Sequence, residues 1–249
     1  MSPLAICFRA NGVKMAKPNI YRDPATMVNV ALFPIPNSVN FPWVPCQLHV
    51  FEPRYRQMVK HCIEHNLLMG VCQTEKIVHK NERTQTIEEA LSSNQSSYKP
   101  TGIFSAGPVQ LLNELDDGRM LIQVDIEVRL QLGEEKQTLP FSIWSCEELL
   151  DQTRDSAQET ALAQSQAKIL MRLLAITHAN QQAQEVLGSD HWQAMPAQKF
   201  SFAILGLLDI PPDDAQALLE MTSAQERLDT VLKMINAIEP HIGSPTGDR

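Results

Sequence analysis

Residues 122–132 alternate without a break between apolar and polar side chains. This pattern is typical of a half-buried antiparallel strand, because successive side chains of a strand point to opposite faces of the sheet. The polar members, Arg129 among them, are therefore predicted to face water. Ahead of this strand, Asp116-Asp117-Gly118 predicts a tight turn, and the apolar-rich run Val109–Leu115 predicts the partner strand of a hairpin. The apolar members of the alternation are Ile122, Val124, Ile126, Val128, Leu130 and Leu132.

Shorter strands are predicted on both sides of this hairpin, and many prolines separate them. Because proline cannot donate a hydrogen bond to a neighbouring strand, this density indicates short strands, bulges and strand switching. The sequence therefore predicts a compact β pseudo-barrel rather than a flat sheet. The strand candidates are Val28–Phe33, Gln47–Phe51, Leu67–Gln73, Gly102–Ala106 and Leu139–Trp144.

One helix is predicted inside this β region. Pro53 suits its first turn, and five apolar residues recur on one face: Tyr55, Met58, Val59, Cys62 and Ile63. The polar stretch 81–99 is predicted to be a mobile excursion.

The apolar period changes from two to that of a helix after Trp144. A proline pair at 211–212 restarts a helix, and Ser223 with Glu226 forms a capping-box pattern at the start of the last one. Four helices with short loops predict an all-helical bundle, so the fold class is α+β. The predicted division is a loose tail over 1–26, a β-domain over 27–148, a helical bundle over 149–240 and a tail over 241–249.

Composition narrows the range of functions. The formal net charge is −8 and the sequence pI is near 5.4, and no run of Lys and Arg opposes this balance, so nucleic acid is not an expected partner. The 5 cysteines are scattered without a CxxC pair, which predicts reduced, buried thiols and a cytoplasmic location. No apolar run approaches the roughly 20 residues that a transmembrane helix needs. No cofactor is expected, because the P-loop-like spacing of Gly102 and Gly107 lacks the lysine that would contact phosphate.

A possible metal motif lies on the predicted first helix. His61, Glu64 and His65 match H-x-x-E-H, in which two histidines hold zinc and the glutamate activates water. A catalytic zinc also needs a third protein ligand and a walled cleft. We therefore expect no metal site and no catalytic residue, and keep a metal-dependent hydrolase as an alternative.

A cluster of aromatic residues and prolines surrounds the start of this helix. Its apolar members are Phe33, Phe41, Trp43, Val44 and Phe51. Two interpretations stay open: these side chains plug the end of the barrel, or they form a rigid apolar surface that binds extended, unfolded peptide.

Residues 32–42 (LFPIPNSVNFP) and 48–59 (LHVFEPRYRQMV) resemble the LON substrate-binding domain. This is the N-terminal domain of Lon-type ATP-dependent proteases, and it also occurs as a stand-alone protein. The resemblance spans about residues 28–238 and is most specific at FEPRYRQM, residues 51–58. Two departures matter: the family usually has glycine where this chain has Trp43, and the stretch 81–99 is longer or more polar than is typical of the family.

The resemblance implies a PUA-like β-domain followed by a helical bundle that recognises protein substrates. It implies a non-catalytic module, since neither a Gly-Lys-Ser/Thr motif nor a peptidase portion is expected here. The implied partners are unfolded or client polypeptides and an ATP-dependent protease acting in trans, with no nucleic acid or membrane. RNA binding stays an alternative, because PUA-like folds also serve that role.

Overall fold

The computed structural model describes residues 5–6, 27–79 and 97–237 of the 249-residue chain. The described residues form two compact units. The β unit takes residues 27–79 and 97–151 together with Pro211–Thr222. The helical unit takes residues 5–6, Gln152–Ile210 and the described residues from Ser223 onward. The predicted boundary near residue 148 stays a prediction.

The helical unit contains the first strand, β1 (Ala5–Ile6). The rest of the predicted tail 1–26, apart from this strand, lies outside the described residues. Most of the predicted excursion 81–99 does so as well, and its last residues fall in a strand.

The β unit is built from short strands, as the prolines predicted. The strands are β2 (Val28–Pro34), β3 (Pro45–Val50), β4 (Leu68–Cys72), β5 (Thr74–His79), β6 (Ser97–Pro100), β7 (Ile103–Gly107), β8 (Val109–Glu114), β9 (Met120–Asp125), β10 (Val128–Gln137) and β11 (Ile143–Glu148). Five of them close a barrel in the order β10-β11-β2-β4-β7, in which β2 and β4 are parallel and the other neighbouring strands are antiparallel. Three more form a sheet in the order β3-β9-β8, and β5 pairs with β6. The predicted α+β fold with a β pseudo-barrel is confirmed.

The prediction of one continuous strand over residues 122–132 is wrong. The chain leaves the three-stranded sheet after Asp125 and enters the barrel at Val128. At the break, the Asp125 amide donates to the Pro108 carbonyl and the Glu127 amide donates to the Ala106 carbonyl. The alternation survives this switch because each half keeps its apolar face in a core.

The prediction that Arg129 faces water is also wrong, because only 4% of its surface is exposed. Its guanidinium bonds to partners that lie far away in sequence, Asp151 and two carbonyl groups after residue 218.

The predicted hairpin is confirmed: β8 pairs with β9, and Gly118 has φ +83° in the turn.

Alternate residues of the barrel strands fill one apolar cluster: Val30, Leu32, Leu68, Cys72, Phe104, Ala106, Leu130 and Cys146. A second cluster joins the opposite face of β2 and β4 to the three-stranded sheet and to helix α1 (Pro53–His65). Four residues of the predicted helix face are buried there, namely Tyr55, Met58, Val59 and Cys62. Ile63, predicted as a fifth, is 42% exposed because it lies at the margin of that face.

The chain after residue 151 is largely helical. Its helices are α2 (Ser156–Ile176), α3 (Gln181–Leu187), α4 (Asp190–Ala194), α5 (Ala197–Ala203), α6 (Pro212–Glu220) and α7 (Ala224–Asn236), with a 3-10 turn at Ile204–Leu207 and a strand β12 (Leu208–Asp209) that pairs with β1. Four helices were predicted; α3 and α4 are too short to show a periodic pattern. Helix α6 belongs to the β unit. In the described part of the chain, no helix combines the length and apolarity that a membrane span requires.

Candidate functional site

The loop between β2 and β3 is held at both ends by backbone hydrogen bonds. At its start, the Ile35 amide donates to the Cys72 carbonyl at 2.8 Å, next to the end of β4. At its end, the Trp43 amide donates to the Ile126 carbonyl at 2.8 Å, at the point where the chain switches sheets. The Val44 amide closes a turn onto the Phe41 carbonyl at 3.2 Å. We call residues 41–44 the Trp43 loop, and these bonds fix its backbone.

Trp43 adopts a left-handed backbone conformation, with φ of +64°. This conformation is rare for a bulky residue and costs on the order of 1–3 kcal/mol. Glycine, which the family resemblance implies at this position, has no Cβ and would take this positive φ without strain. The tryptophan therefore occupies a backbone site suited to glycine.

The five aromatic and apolar candidates divide into two groups. Phe33 and Phe41 belong to the core, with 9% and 6% of their surfaces exposed. The Phe33 ring meets the Tyr55 ring edge-on, with centroids 4.2 Å apart. Trp43, Val44 and Phe51 are half-buried, so each residue keeps part of its surface in contact with solvent. The structure thus assigns packing to the first two and leaves the other three available for contact.

The entry of helix α1 is fixed by a charged pair. Arg54 lies 3.0 Å from the Glu52 carboxylate, and their side chains are only 14% and 11% exposed. The same guanidinium sits 4.5 Å from the centroid of the Tyr55 ring. Arg54 thereby links the Glu52 carboxylate to the core, because the Tyr55 ring beside its guanidinium packs on Phe33. This burial favours a positioning role for Glu52 and Arg54 over that of a loose surface pair.

The H-x-x-E-H residues lie on the exposed side of helix α1. The rings of His61 and His65 stack with centroids 4.1 Å apart, and Nδ1 of His65 donates to the His61 carbonyl at 3.0 Å. Glu64 is exposed. Among the described residues, no group of three or more His, Cys, Asp and Glu side chains is arranged to hold a metal ion. Within that part of the chain, the hydrolase alternative lacks its third ligand.

The described cysteines, Cys46, Cys62, Cys72 and Cys146, are buried and form no disulfide with one another, as predicted. Cys7 lies outside the described residues. Burial raises the pKa of the Cys62 thiol on helix α1 to about 12. This thiol therefore stays protonated near neutral pH and is a packing group rather than a nucleophile.

One apolar feature of this unit was not singled out from the sequence. Leu111 and Leu112 of β8 are 43% and 45% exposed. The signal was present, because two adjacent leucines break the alternation expected of a half-buried strand.

Comparison with known proteins agrees with this architecture. The N-terminal domain of a Mycobacterium avium complex Lon protease superposes with a TM-score of 0.59 at 11% identity, over 84% of this chain and 98% of that one. A Lon N-terminal domain protein from Xanthomonas campestris superposes with a TM-score of 0.52 at 18% identity, over 83% of this chain and 98% of that one. At these identities the likeness establishes the fold. The family model of the ATP-dependent protease La (LON) substrate-binding domain matches residues 29–237, and the chain therefore belongs to that family.

Proposed function

We propose that this chain is a non-catalytic module that binds exposed apolar segments of unfolded polypeptides through the Trp43 loop. The observation that carries the proposal is the partly exposed Trp43, held at φ +64° by a hydrogen bond to Ile126. A strained conformation persists only where the surrounding structure holds it, and such residues cluster at binding sites. Family membership supports substrate recognition as the setting for this loop.

The chemistry of the Trp43 loop and of Phe51, the residue after β3, suits apolar chains without a fixed sequence. Trp43, Val44 and Phe51 offer apolar surface, and each Å² removed from water contributes about 25 cal/mol before entropic costs. Those costs are reduced on the protein side, because the loop backbone is already ordered by its hydrogen bonds. The proposed partners are client polypeptides and, in trans, an ATP-dependent protease that receives them.

RNA binding has only the fold class in its favour. The formal charge of −8 opposes phosphate binding, since affinity for nucleic acid comes largely from Lys and Arg. A filter-binding assay at low salt with unstructured RNA tests this alternative directly.

The test is the affinity for a permanently unfolded client, reduced and carboxymethylated lactalbumin, measured by fluorescence anisotropy. Trp43→Gly removes the ring and keeps the backbone conformation, because glycine is unstrained at positive φ. We expect Kd to rise about tenfold, which corresponds to roughly 1.4 kcal/mol and is typical of losing an aromatic anchor.

A matched control is Leu139→Ala, which removes an apolar side chain that is 79% exposed elsewhere in the β unit. Its Kd should equal that of the wild type. Equal affinities for all three proteins would remove the Trp43 loop from the proposal, and no binding by the wild type would overturn the function.

A further inference from the structure

Strand β8 lies at the edge of the three-stranded sheet. It pairs with β9 on one side, and no strand among the described residues pairs with its other side. An edge strand presents backbone N–H and C=O groups that can pair with another extended chain. The edge formed by Val109–Glu114, here called the β8 edge, is thus a template for one more strand.

The side chains of the β8 edge are unusually exposed for a strand. All five residues from Gln110 to Glu114 are exposed, and Leu111 and Leu112 are the large apolar ones among them. The register shifts between Leu111 and Asn113, so an extra residue interrupts the alternation and leaves adjacent leucines in contact with water. Exposed apolar surface beside a strand edge that no described strand pairs indicates an interaction site.

The other edge of the same sheet, strand β3, has polar rather than apolar residues at its exposed positions. Strand β3 begins at Pro45, its apolar residues Cys46 and Val50 are buried, and its exposed residues Gln47 and His49 are polar. Natural sheets protect their edges with proline, lysine and inward-facing charge. The sequence VQLLNE of β8 has no proline, lysine or arginine, and its one protective feature of this kind is the bulge between Leu111 and Asn113. Its one carboxylate, Glu114, lies 3.3 Å from the ammonium of Lys60.

We infer that the β8 edge binds a client polypeptide as an added strand, with Leu111 and Leu112 contacting its apolar side chains. This inference rests on the proposed function and specifies the form of the client: an extended, uncharged, apolar segment. Backbone hydrogen bonds give such a site affinity for many sequences, because every residue except proline carries the same donor and acceptor. The ion pair of Glu114 with Lys60 leaves an apolar segment better matched than a charged one.

The β8 edge and the Trp43 loop lie at the same end of one sheet. The Trp43 amide bonds to Ile126, and the Asp125 amide bonds to Pro108, the residue before β8. Pro45, which follows the loop, lies opposite Asp125 on β9. Strands β3 and β8 are two spacings apart, or roughly 10 Å at about 4.8 Å per strand. An extended client gains about 3.3 Å per residue, so a few residues beyond the edge span this gap.

The experiment measures the binding of three fluorescent peptides of about seven apolar residues, equal in sequence, to the full chain. One is unmodified, and the other two are N-methylated at alternate amides, each along a different edge, which removes backbone hydrogen bonds and keeps the side chains. Strand addition predicts that Kd rises at least tenfold for the peptide methylated on its pairing edge. Equal Kd values for peptides methylated on either edge and for the unmodified peptide would overturn the inference.

A variant tests the same edge from the protein side. Leu112→Lys places a charge on an exposed position, and its control Leu139→Lys does the same in a loop of the same unit. We expect the first to raise Kd at least tenfold and the second to leave it unchanged, with both proteins showing wild-type thermal unfolding.

The two proposals fail in different ways. If Trp43→Gly weakens binding while Leu112→Lys and N-methylation do not, the β8 edge is excluded and the proposed function stands. If the wild type binds neither the peptides nor the unfolded client, both are overturned.

Discussion

Arg129 is the residue whose environment depends most on distant parts of the chain. Its guanidinium lies 2.6 Å from the Asp151 carboxylate, and the two side chains are 3% and 1% exposed. The same group donates to the carbonyls of Leu219 and Met221 at 2.6 and 2.7 Å. A buried pair is weak evidence of stability by itself, but removing one partner leaves an uncompensated charge in the interior.

Asp151→Asn should therefore lower the free energy of unfolding by about 3 kcal/mol, the size of the effect when one partner of a buried pair is lost. Urea denaturation followed by circular dichroism measures this change. The control is Asp117→Asn, which breaks the ion pair with Arg119, whose side chains are 36% and 39% exposed. That variant should unfold at the wild-type urea concentration, and equal shifts would show that burial of Arg129 is unimportant.

The buried thiols make a second residue-level prediction. Burial raises the pKa of Cys62 from 9.0 to about 12, and burial also raises the pKa of Cys72 and of Cys146. A shift of this size leaves roughly a thousandfold less Cys62 thiolate at pH 8. In a Cys7→Ser variant, the native protein should react with a disulfide reagent far more slowly than the unfolded protein. Fast labelling of the native state would contradict the buried assignment.

The direction in which the free energy of unfolding changes with pH follows from the same rise in the pKa of Cys62. Because the pKa of Cys62 is higher in the folded state, its contribution to stability is present below pH 9.0 and is lost as the pH rises toward 12.

At this scale, sequence patterns selected candidate residues but did not predict the environment of each one. Phe33 and Phe41 look the same as Phe51 in a sequence, yet only the last is half-buried rather than buried. Arg129 looks like a water-facing member of an alternating strand, because its partners lie 22 and 90 or more positions away. Local periodicity carries no information about such partners.

Among the elements, the switch from β9 to β10 depends on a close backbone contact. A Cβ added to Gly107 would lie 1.8 Å from the Asp125 carbonyl oxygen, at the end of β9. Because backbone rather than a flexible side chain is in the way, the two strands would have to separate.

Gly107→Ala should lower the free energy of unfolding by about 3 kcal/mol, at the upper end of overpacking effects. Gly102→Ala is the matched control, since a Cβ there meets nothing within 4 Å. It should change stability by less than about 0.5 kcal/mol. Thermal unfolding of both variants measures the difference, and a stable Gly107→Ala protein would show that the strands can separate at small cost.

The break between β9 and β10 could not be predicted from the sequence, for a specific reason. Val124 and Ile126 are both buried, so the apolar pattern continues while the chain passes from sheet to barrel. The only local signal stood on the neighbouring strand, where Gly107-Pro108 marks a place of close approach and a lost donor. The hairpin turn at Gly118, by contrast, was predictable because its cause is local.

For the whole molecule, the change of apolar period predicted the order of β region and helices. It did not predict that helix α6 belongs to the β unit. The helical pattern of residues 212–220 is the same wherever the helix packs. What decides its place is a set of contacts: Arg129 with the carbonyls at its end, and Gln216, which donates to the Ile103 carbonyl of β7 at 2.9 Å.

The β unit is therefore discontinuous in sequence, and this leads to a prediction about fragments. A fragment of residues 1–151 lacks α6, so Arg129 loses two carbonyl acceptors. Hydrogen bonds from a charged donor contribute roughly 1.5–3 kcal/mol each, against a total domain stability of about 5–15 kcal/mol. A fragment in which residues 211–222 follow residue 151 through a flexible Gly/Ser linker restores these contacts.

We expect the linked fragment to unfold in one cooperative transition and the shorter fragment to unfold at a much lower urea concentration. Arg129→Met made in both fragments should reduce the difference between them, because part of the benefit of α6 passes through that guanidinium. Equal unfolding midpoints for both fragments would mean that residues 27–151 hold their fold unaided. In that case the division by sequence order, with every late helix in one domain, would describe the molecule better than the division by contacts.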